Sequence, residues 1–167
     1  MKIESYSPDN KSKVYGDVIS WEDNQELFIQ NGITGNKKLL LKSSFKFEPE
    51  ITWFGNDVVQ VRVATGSPGN YSIFYDIKSD RVSEELCFVL AFDKNNNLAL
   101  LGEDKLLVKE VFNGKIIHTL KIKDIYNSFV LAQVVDYAKF DDNDKLTIKY
   151  MTNKNENKTY SIKIKTK

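Results

Sequence analysis

The chain has 167 residues, of which 41% are hydrophobic and 28% are charged, a composition typical of a folded protein and not of a disordered one. Its 24 basic and 23 acidic residues leave a net charge of +1, so no overall field favours a nucleic acid or a membrane as the partner. Arginine, the preferred fork for phosphate and guanine, occurs only as Arg62 and Arg81. The composition therefore predicts a soluble protein that binds neither nucleic acid nor membrane.

The N-terminal segment MKIESYSPDN lacks the apolar stretch of a signal peptide, and no apolar run approaches the roughly 20 residues that span a bilayer. The single cysteine, Cys87, cannot form an internal disulfide and fits a reducing compartment. We expect a cytoplasmic protein whose residues 1–167 form a single domain.

Four segments of the chain share one pattern, in which an aromatic residue is followed six residues later by an aliphatic residue and two positions further by another. The aromatic positions are Trp21, Trp53, Phe92 and Phe140, and the aliphatic pairs are Leu27/Ile29, Val59/Val61, Leu98/Leu100 and Leu146/Ile148. Five mostly turn-forming residues separate them: EDNQE, FGNDV, DKNNN and DDNDK. Because residues i and i+2 of a strand share a face, each segment predicts a β-hairpin with one buried face.

Each hairpin is followed by a second connection and a third strand, and the second and third copies gain a fourth strand. Asn113-Gly114 is the strongest hairpin signal, because both positions tolerate positive φ. The sequence thus predicts an all-β, antiparallel fold of four degenerate hairpin or blade units over residues 14–50, 51–88, 89–121 and 130–167. A half-propeller or small propeller-like fold is the main expectation, and a two-sheet β-sandwich is the alternative. One short helical turn within Asp124–Val130 is the most helix that the pattern allows.

Few residues of the sequence are candidates for a catalytic role. His118 is the only histidine and shares a strand face with Ile116 and Leu120, which indicates a packed, hydrogen-bonded structural role. Cys87 lies between Leu86 and Phe88 in a strand, which indicates an inert core thiol. We therefore expect no enzyme, no catalytic residue and no cofactor, although a hydrolase that uses a carboxylate pair stays open as an alternative.

The run Asp141-Asp142-Asn143-Asp144 has some of the residues of a calcium-binding loop. It lacks the glycine at the turn and the bidentate glutamate that complete such a loop. We therefore predict no metal site.

If the four units are equivalent, their first connections lie on one edge and carry most of the acidic turn residues. The residues predicted to form this acidic rim and to bind a partner are Glu22, Asp23, Glu26, Asp57, Asp141, Asp142 and Asp144. Such a rim would steer a basic partner. The alternative is that turns favour aspartate for backbone reasons alone.

The stretch TGSPGNYSIFYDIKSDRVSEELCFVLAFDKNNNLALL, with LLVKEVFNGK and YAKFDDNDKLTIKYMT after it, resembles small bacterial propeller-like proteins, which we associate with immunity proteins of contact-dependent growth-inhibition systems. The resemblance covers about residues 50–152. It implies an antitoxin that binds a cognate toxin domain, often a nuclease, and blocks its active site. The alternatives are the hydrolase named above and a structural, propeller-like interaction module.

Overall fold

The structure is a computed structural model that describes residues 2–17, 25–44, 47–67 and 69–164. The chain divides into two compact units, Met1–Glu85 and Leu86–Lys167. Within the described residues each unit holds two blade-like antiparallel sheets and a hydrophobic core of its own. The expectation of one domain over residues 1–167 stays a prediction.

The first unit is built from two sheets whose strands follow one another in chain order. The first sheet contains β1 (Lys2–Tyr6), β2 (Lys13–Asp17), β3 (Gln25–Gln30) and β4 (Lys37–Ser43), and the second contains β5 (Glu50–Phe54), β6 (Val58–Ala64), β7 (Asn70–Asp76) and β8 (Arg81–Val82). Alternate residues of these strands are apolar and buried, Leu27 and Ile29 in β3 and Val59 and Val61 in β6 among them. The Trp53 side chain packs against this core, and its indole nitrogen donates a hydrogen bond to Ser5 Oγ at 3.0 Å.

The second unit has the same plan. It contains β9 (Leu86–Cys87), a sheet of β10 (Val89–Asp93), β11 (Leu98–Gly102), β12 (Leu106–Glu110) and β13 (Ile116–Leu120), a 3₁₀ helix (Leu131–Val134), and a sheet of β14 (Val135–Phe140), β15 (Lys145–Met151) and β16 (Asn157–Lys163). Leu100, Val108, Leu146 and Ile148 are fully buried in its core.

The up-and-down order of the strands in each sheet is that of propeller blades. The fold is therefore all-β and propeller-like, as the sequence predicts, and its four separate sheets are not the two of a sandwich. The predicted turn at Asn113-Gly114 is also present, since it joins β12 to β13 and Gly114 has a φ of 73°. The short helical turn lies at Leu131–Val134, just beyond the predicted range.

The predicted pairing of aromatic with aliphatic residues holds in two of the four units. Trp53 pairs with Val59 and Phe140 pairs with Leu146. Phe92, however, pairs with Ala99, because Asp93 pairs with Leu98 and leaves a four-residue turn between them. The longer turn shifts the register by one residue, so Ala91 rather than Phe92 packs against the core.

The first sheet begins earlier than predicted. The strand β1 (Lys2–Tyr6) was not expected, and the strand that pairs with β3 is β2, through Val14 opposite Ile29. The predicted strand around Trp21 lies outside the described residues. The link 18–24 therefore joins the second and third strands of its sheet, whereas the turn at Asp57 joins the first and second strands of the next one. The first unit of the predicted repeat is thus displaced by one strand.

Two residues depart from their predicted environment. Cys87 is exposed, so the prediction of a buried thiol is wrong: Leu86 takes the buried position, and Phe88, with a φ of 52°, interrupts the strand after Cys87. His118 is half-buried opposite Val108, yet its Nε2 atom has no hydrogen-bond partner among the described residues. The predicted face is wrong for Ile116, which is 52% exposed, because a bulge between His118 and Ile116 puts Ile117 against the core in its place.

Candidate protein-binding surfaces

The acidic turn between β14 and β15 is stabilised by one of its own carboxylates. Asp141 Oδ1 accepts hydrogen bonds from the backbone N–H groups of Asn143 at 2.9 Å and Lys145 at 3.0 Å. These two bonds hold the pKa of the Asp141 carboxyl below its ordinary value. Asp141 therefore forms the turn, as the backbone interpretation of acidic turns predicts.

Two first connections of the second unit meet at one edge. The Asn96 side-chain amide donates hydrogen bonds to Asp144 Oδ1 and to Asp93 Oδ2, each at 2.8 Å. This contact brings the β10–β11 and β14–β15 turns together, as the repeat predicts. Asp142 is exposed and makes no hydrogen bond or ion pair with any described residue. It is thus the carboxylate of this turn that is free to meet a partner.

The acidic residues of the first unit are not gathered in this way. Asp57 lies in the β5–β6 turn, 3.1 Å from Lys78 Nζ, and the adjacent Asn56 accepts a hydrogen bond from the backbone of Asp9 in the β1–β2 loop. Glu26 lies in strand β3 and pairs with Lys42 at 2.8 Å, at the opposite end of the first sheet from the β1–β2 loop. Glu26 is therefore not in the first connection of its sheet, because the first copy is displaced by one strand, whereas Asp57 does lie in a first connection. Glu22 and Asp23 lie outside the described residues, and the partner-binding role of all seven stays a prediction.

The outward side of the first sheet carries an aromatic surface that the sequence reasoning missed. We call this surface the aromatic–lysine face. Its residues form two rows across the four strands: Tyr6, Lys13, Tyr15, Phe28, Lys37 and Leu39. Register places Tyr15 opposite Phe28 and Phe28 opposite Leu39 in one row, with Tyr6 opposite Lys13 in the next. Tyr6 and Leu39 are each 46% exposed.

Lysine ammonium groups lie over the rings of this face. Lys37 Nζ is 4.0 Å from the centre of the Phe28 ring and 5.4 Å from that of Tyr15, and Lys13 Nζ is 4.9 Å from the Tyr15 ring. The Tyr15 and Phe28 rings are themselves 5.9 Å apart. Lys13 also pairs with Glu4, which stands opposite Tyr15 on the same face, at 3.7 Å. Lys37 forms no ion pair with a described residue, so its cation–π contacts hold one positive charge above a half-buried aromatic row without neutralising it.

A local sequence signal for this face existed. Tyr15 and Phe28 alternate with the buried Val14, Leu27 and Ile29, so each stands at a position where an outward strand residue is usually polar. The signal was missed because the strand Lys13–Asp17 was not recognised, and Phe28 alone does not show which aromatic side chains are its neighbours.

A buried polar network closes the β3–β4 loop of the first unit. The fully buried Asn31 donates from Nδ2 to Tyr75 Oη at 2.8 Å and to the Ile77 carbonyl at 2.7 Å. Tyr75 donates in turn to the Asp80 carboxylate, which also receives Lys38 Nζ at 2.9 Å. Hydrogen bonds from Tyr75, Lys38 and Asn36 lower the pKa of Asp80, and burial together with the Asp80 bond raises the pKa of Tyr75.

The second unit has a network of the same residue types. Tyr150 Oη donates to Asp124 Oδ1 at 2.7 Å, and Lys158 Nζ lies 2.5 Å from Asp124 Oδ2. Burial and the nearby carboxylate raise the pKa of Tyr150 to about 12, while bonds from Lys158 and Tyr150 lower the pKa of Asp124. Each tyrosine therefore stays a neutral donor that fixes a loop to a blade, which is a structural task.

The described residues contain neither a metal-binding cluster nor a helix that could span a membrane. No group of three or more His, Cys, Asp or Glu side chains there is arranged to hold a metal ion. No helix in this part of the chain is long and apolar enough to cross a membrane.

The chain is similar to known proteins in its structure but not in its sequence. No family model matches the chain, and no curated protein sequence matches it. Among solved structures, the chain is similar to TolB from Acinetobacter baumannii, with 11% identity and a TM-score of 0.44 over 98% of this chain and 41% of that one. It is also similar to the β-propeller domain of the Trilobed protease from Pyrococcus furiosus, with 13% identity and a TM-score of 0.49 over 98% of this chain and 55% of that one. The chain thus spans about half the length of either protein.

Proposed function

We propose that the chain is a protein-binding module, and specifically an immunity protein that neutralises a cognate bacterial toxin domain by covering its active site. The observation that carries the proposal is the aromatic–lysine face of the first sheet. Aromatic side chains are enriched at the centres of protein interfaces, and a partly exposed, continuous row of apolar side chains is typical of an interaction surface. The resemblance of residues 50–152 to immunity proteins suggests the finer class.

The chemistry of the face defines the partner that would fit it. Tyr15, Phe28 and Leu39 offer an apolar row to a partner's apolar side chain. Lys37, held over the rings, offers a positive charge to a carboxylate beside that side chain, while Lys13 is already paired with Glu4. In the second unit, Asp142 is a separate candidate contact for a basic toxin such as a nuclease, whose positively charged cleft would accept a carboxylate.

Co-expression tests the proposal. The chain is expressed with the toxin domain encoded by the reading frame next to its own, and both growth and the Kd of the purified pair are measured. Tyr15→Ala should weaken binding by about 2 kcal/mol, or roughly thirtyfold, as for a central aromatic contact. Lys37→Gln should weaken it by a smaller factor that shrinks as salt is raised.

Lys42→Gln is the matched control, because Lys42 lies on the same strand but its ammonium group already pairs with Glu26. Circular dichroism of every variant establishes that the fold is retained. Folded Tyr15→Ala protein with unchanged Kd and full protection would remove the face from the interface. A wild-type chain that gives no protection against the neighbouring toxin would overturn the immunity function itself.

A further inference from the structure

The outward side of the fourth sheet, β14–β15–β16, is crowded with lysine. Leu146, Ile148 and Tyr150 of the central strand are buried, so the residues between them point outward. We call this surface the lysine face. It consists of Lys139, Lys145, Lys149 and Lys163, with the hydroxyl residues Thr147, Thr159 and Ser161 between them. Tyr137, opposite Lys149, is 47% exposed at its end.

The positive charges of this face are not neutralised within the described part of the chain, since none of its four lysines forms an ion pair there. Lys145 and Lys163 stand directly opposite each other on adjacent strands. Like charges in that position destabilise a sheet. The neighbouring Asp141 carboxylate attracts Lys145 and Lys139, but it also accepts two backbone hydrogen bonds of the turn and is one negative charge beside four lysines. The excess of positive charge on this face points to a function for it.

We infer that the lysine face is a docking surface for an acidic polypeptide segment, namely an extended strand with Asp or Glu at alternate positions. The rows of the face, Lys149 with Thr159, Lys139 with Thr147, and Lys145 with Lys163, repeat along the strands at about 6.7 Å, the spacing of alternate residues in any extended chain. Each carboxylate of such a segment would meet one lysine row, and the hydroxyl groups would donate further hydrogen bonds. A groove of about 560 Å³, lined by Asp136, Tyr137, Lys149, Asn157, Lys158 and Thr159, offers space for one larger side chain beside the lysine rows.

Two other polyanions fit this surface less well. Nucleic-acid phosphates are bound preferentially by the planar fork of arginine, which this face does not contain. An anionic membrane usually needs a second, inserted apolar group in addition to a basic patch, and Tyr137 is the only aromatic side chain among these outward positions of the described strands.

Fluorescence anisotropy with defined probes tests the inference on the full chain. The probes are a labelled decapeptide of alternating Thr and Glu, the same peptide with Gln for Glu, poly(U) RNA, and vesicles of 70% phosphatidylcholine and 30% phosphatidylserine. The Glu peptide should bind in low salt, weaken at 300 mM NaCl, and bind at least tenfold more tightly than the Gln peptide. The double variant Lys145→Gln/Lys149→Gln should lose at least tenfold of that affinity.

Lys105→Gln/Lys154→Gln is the matched control, since it removes two turn lysines of the same unit that do not belong to the face. The test variant should also unfold at a temperature no lower than the wild type, because it relieves the Lys145–Lys163 repulsion, so misfolding does not explain a loss of binding. Tighter binding of poly(U) or of the vesicles, lost in the same variant, would assign the face to nucleic acid or membrane and overturn the acidic segment. No binding to any probe would overturn it as well.

Discussion

Two neighbouring aspartates of one turn, Asp141 and Asp142, differ in what their carboxylates contact. The Asp141 carboxylate accepts two backbone hydrogen bonds. The Asp142 carboxylate is exposed and contacts none of the described residues through a hydrogen bond or an ion pair. We expect Asp141→Lys to lower the melting temperature and Asp142→Lys to leave it unchanged while weakening toxin binding in a salt-dependent way. Differential scanning fluorimetry and titration at two salt concentrations measure both effects. Equal stability of the two variants would contradict the assignment of the turn to Asp141.

The Asp80 network of the first unit predicts a pH dependence of stability. Hydrogen bonds from Tyr75, Lys38 and Asn36 hold the pKa of Asp80 below the value of about 3.9 that the carboxyl has in the unfolded chain. The stabilisation is therefore complete above about pH 4 and is lost as the pH falls through the folded pKa. Urea unfolding between pH 7 and pH 2 should show this acid limb in the wild type and a weaker one in Asp80→Asn.

Asp57→Asn is the control for that experiment, since Asp57 faces only a surface lysine. It should retain the acid limb of the wild type. An unaltered limb in Asp80→Asn would show that the network does not couple protonation to folding.

Asn31 shows why residue-level prediction has limits. The sequence places it at the start of a polar loop, where an exposed amide is the usual outcome. Its partners Tyr75, Ile77 and Asp80 lie 44 to 49 residues away, so its burial depends on a tertiary contact that no local pattern contains. Val59 and Val61, in contrast, follow from alternation alone, and both are fully buried.

At the level of strands, the pattern predicted the hairpins better than their register. The turn after Trp53 and that after Phe140 allow the expected pairs, with three and five residues between their paired ends. The turn after Phe92 has four, and this even number moves Phe92 off the core face. Polar turn residues such as those of DKNNN specify that the chain reverses. They do not specify how many of them the turn uses. Asn97 lies in the left-handed region, with a φ of 55°, and asparagine is accepted in this turn conformation as readily as in an added strand position.

The contact between β2 and β3 predicts the effect of a substitution at Gly16. A Cβ atom at this position would lie 2.4 Å from the Glu26 carbonyl oxygen and 2.7 Å from Leu27 Cδ2. The strands would have to separate, so Gly16→Ala should destabilise the protein by about 1–3 kcal/mol, the usual cost of overpacking. Guanidinium unfolding measures the change in the free energy of unfolding.

Gly35→Asn provides the comparison. Gly35 has open space around it and a φ of 73°, which asparagine tolerates better than other residues do. This variant should lose much less stability than Gly16→Ala. The reverse order of stability would mean that the close approach of β2 and β3 is not what requires glycine at position 16.

For the whole molecule, a net charge of +1 conceals a strong segregation of charge. Four lysines of β14–β16 lie on one outward face while Lys158 pairs with Asp124, and Asn96 brings Asp93 and Asp144 together at the β10–β11 and β14–β15 turns. Composition gave no reason to expect either surface, because the total is near zero. The basic and acidic residues can be assigned to different surfaces only when the alternation of strand residues is combined with knowledge of which face of each sheet is exposed. The all-β, four-sheet architecture and the meeting of the two acidic turns of the second unit were accessible from the repeat, but the aromatic–lysine face and the lysine face were not.

The whole chain is expected to unfold as a single domain, and calorimetry tests this. The two units, Met1–Glu85 and Leu86–Lys167, each contain about half the residues, and domains of that size bury a smaller fraction of their surface than larger domains do and are marginally stable alone. We therefore expect one transition whose van't Hoff enthalpy equals the calorimetric enthalpy, about 115 kcal/mol at 0.7 kcal/mol per residue. A van't Hoff enthalpy near half the calorimetric value, or two separate transitions, would show that the units unfold independently. In that event Ile29→Ala would shift only the transition of the first unit and Ile148→Ala only that of the second, since each side chain is fully buried in the core of its own unit.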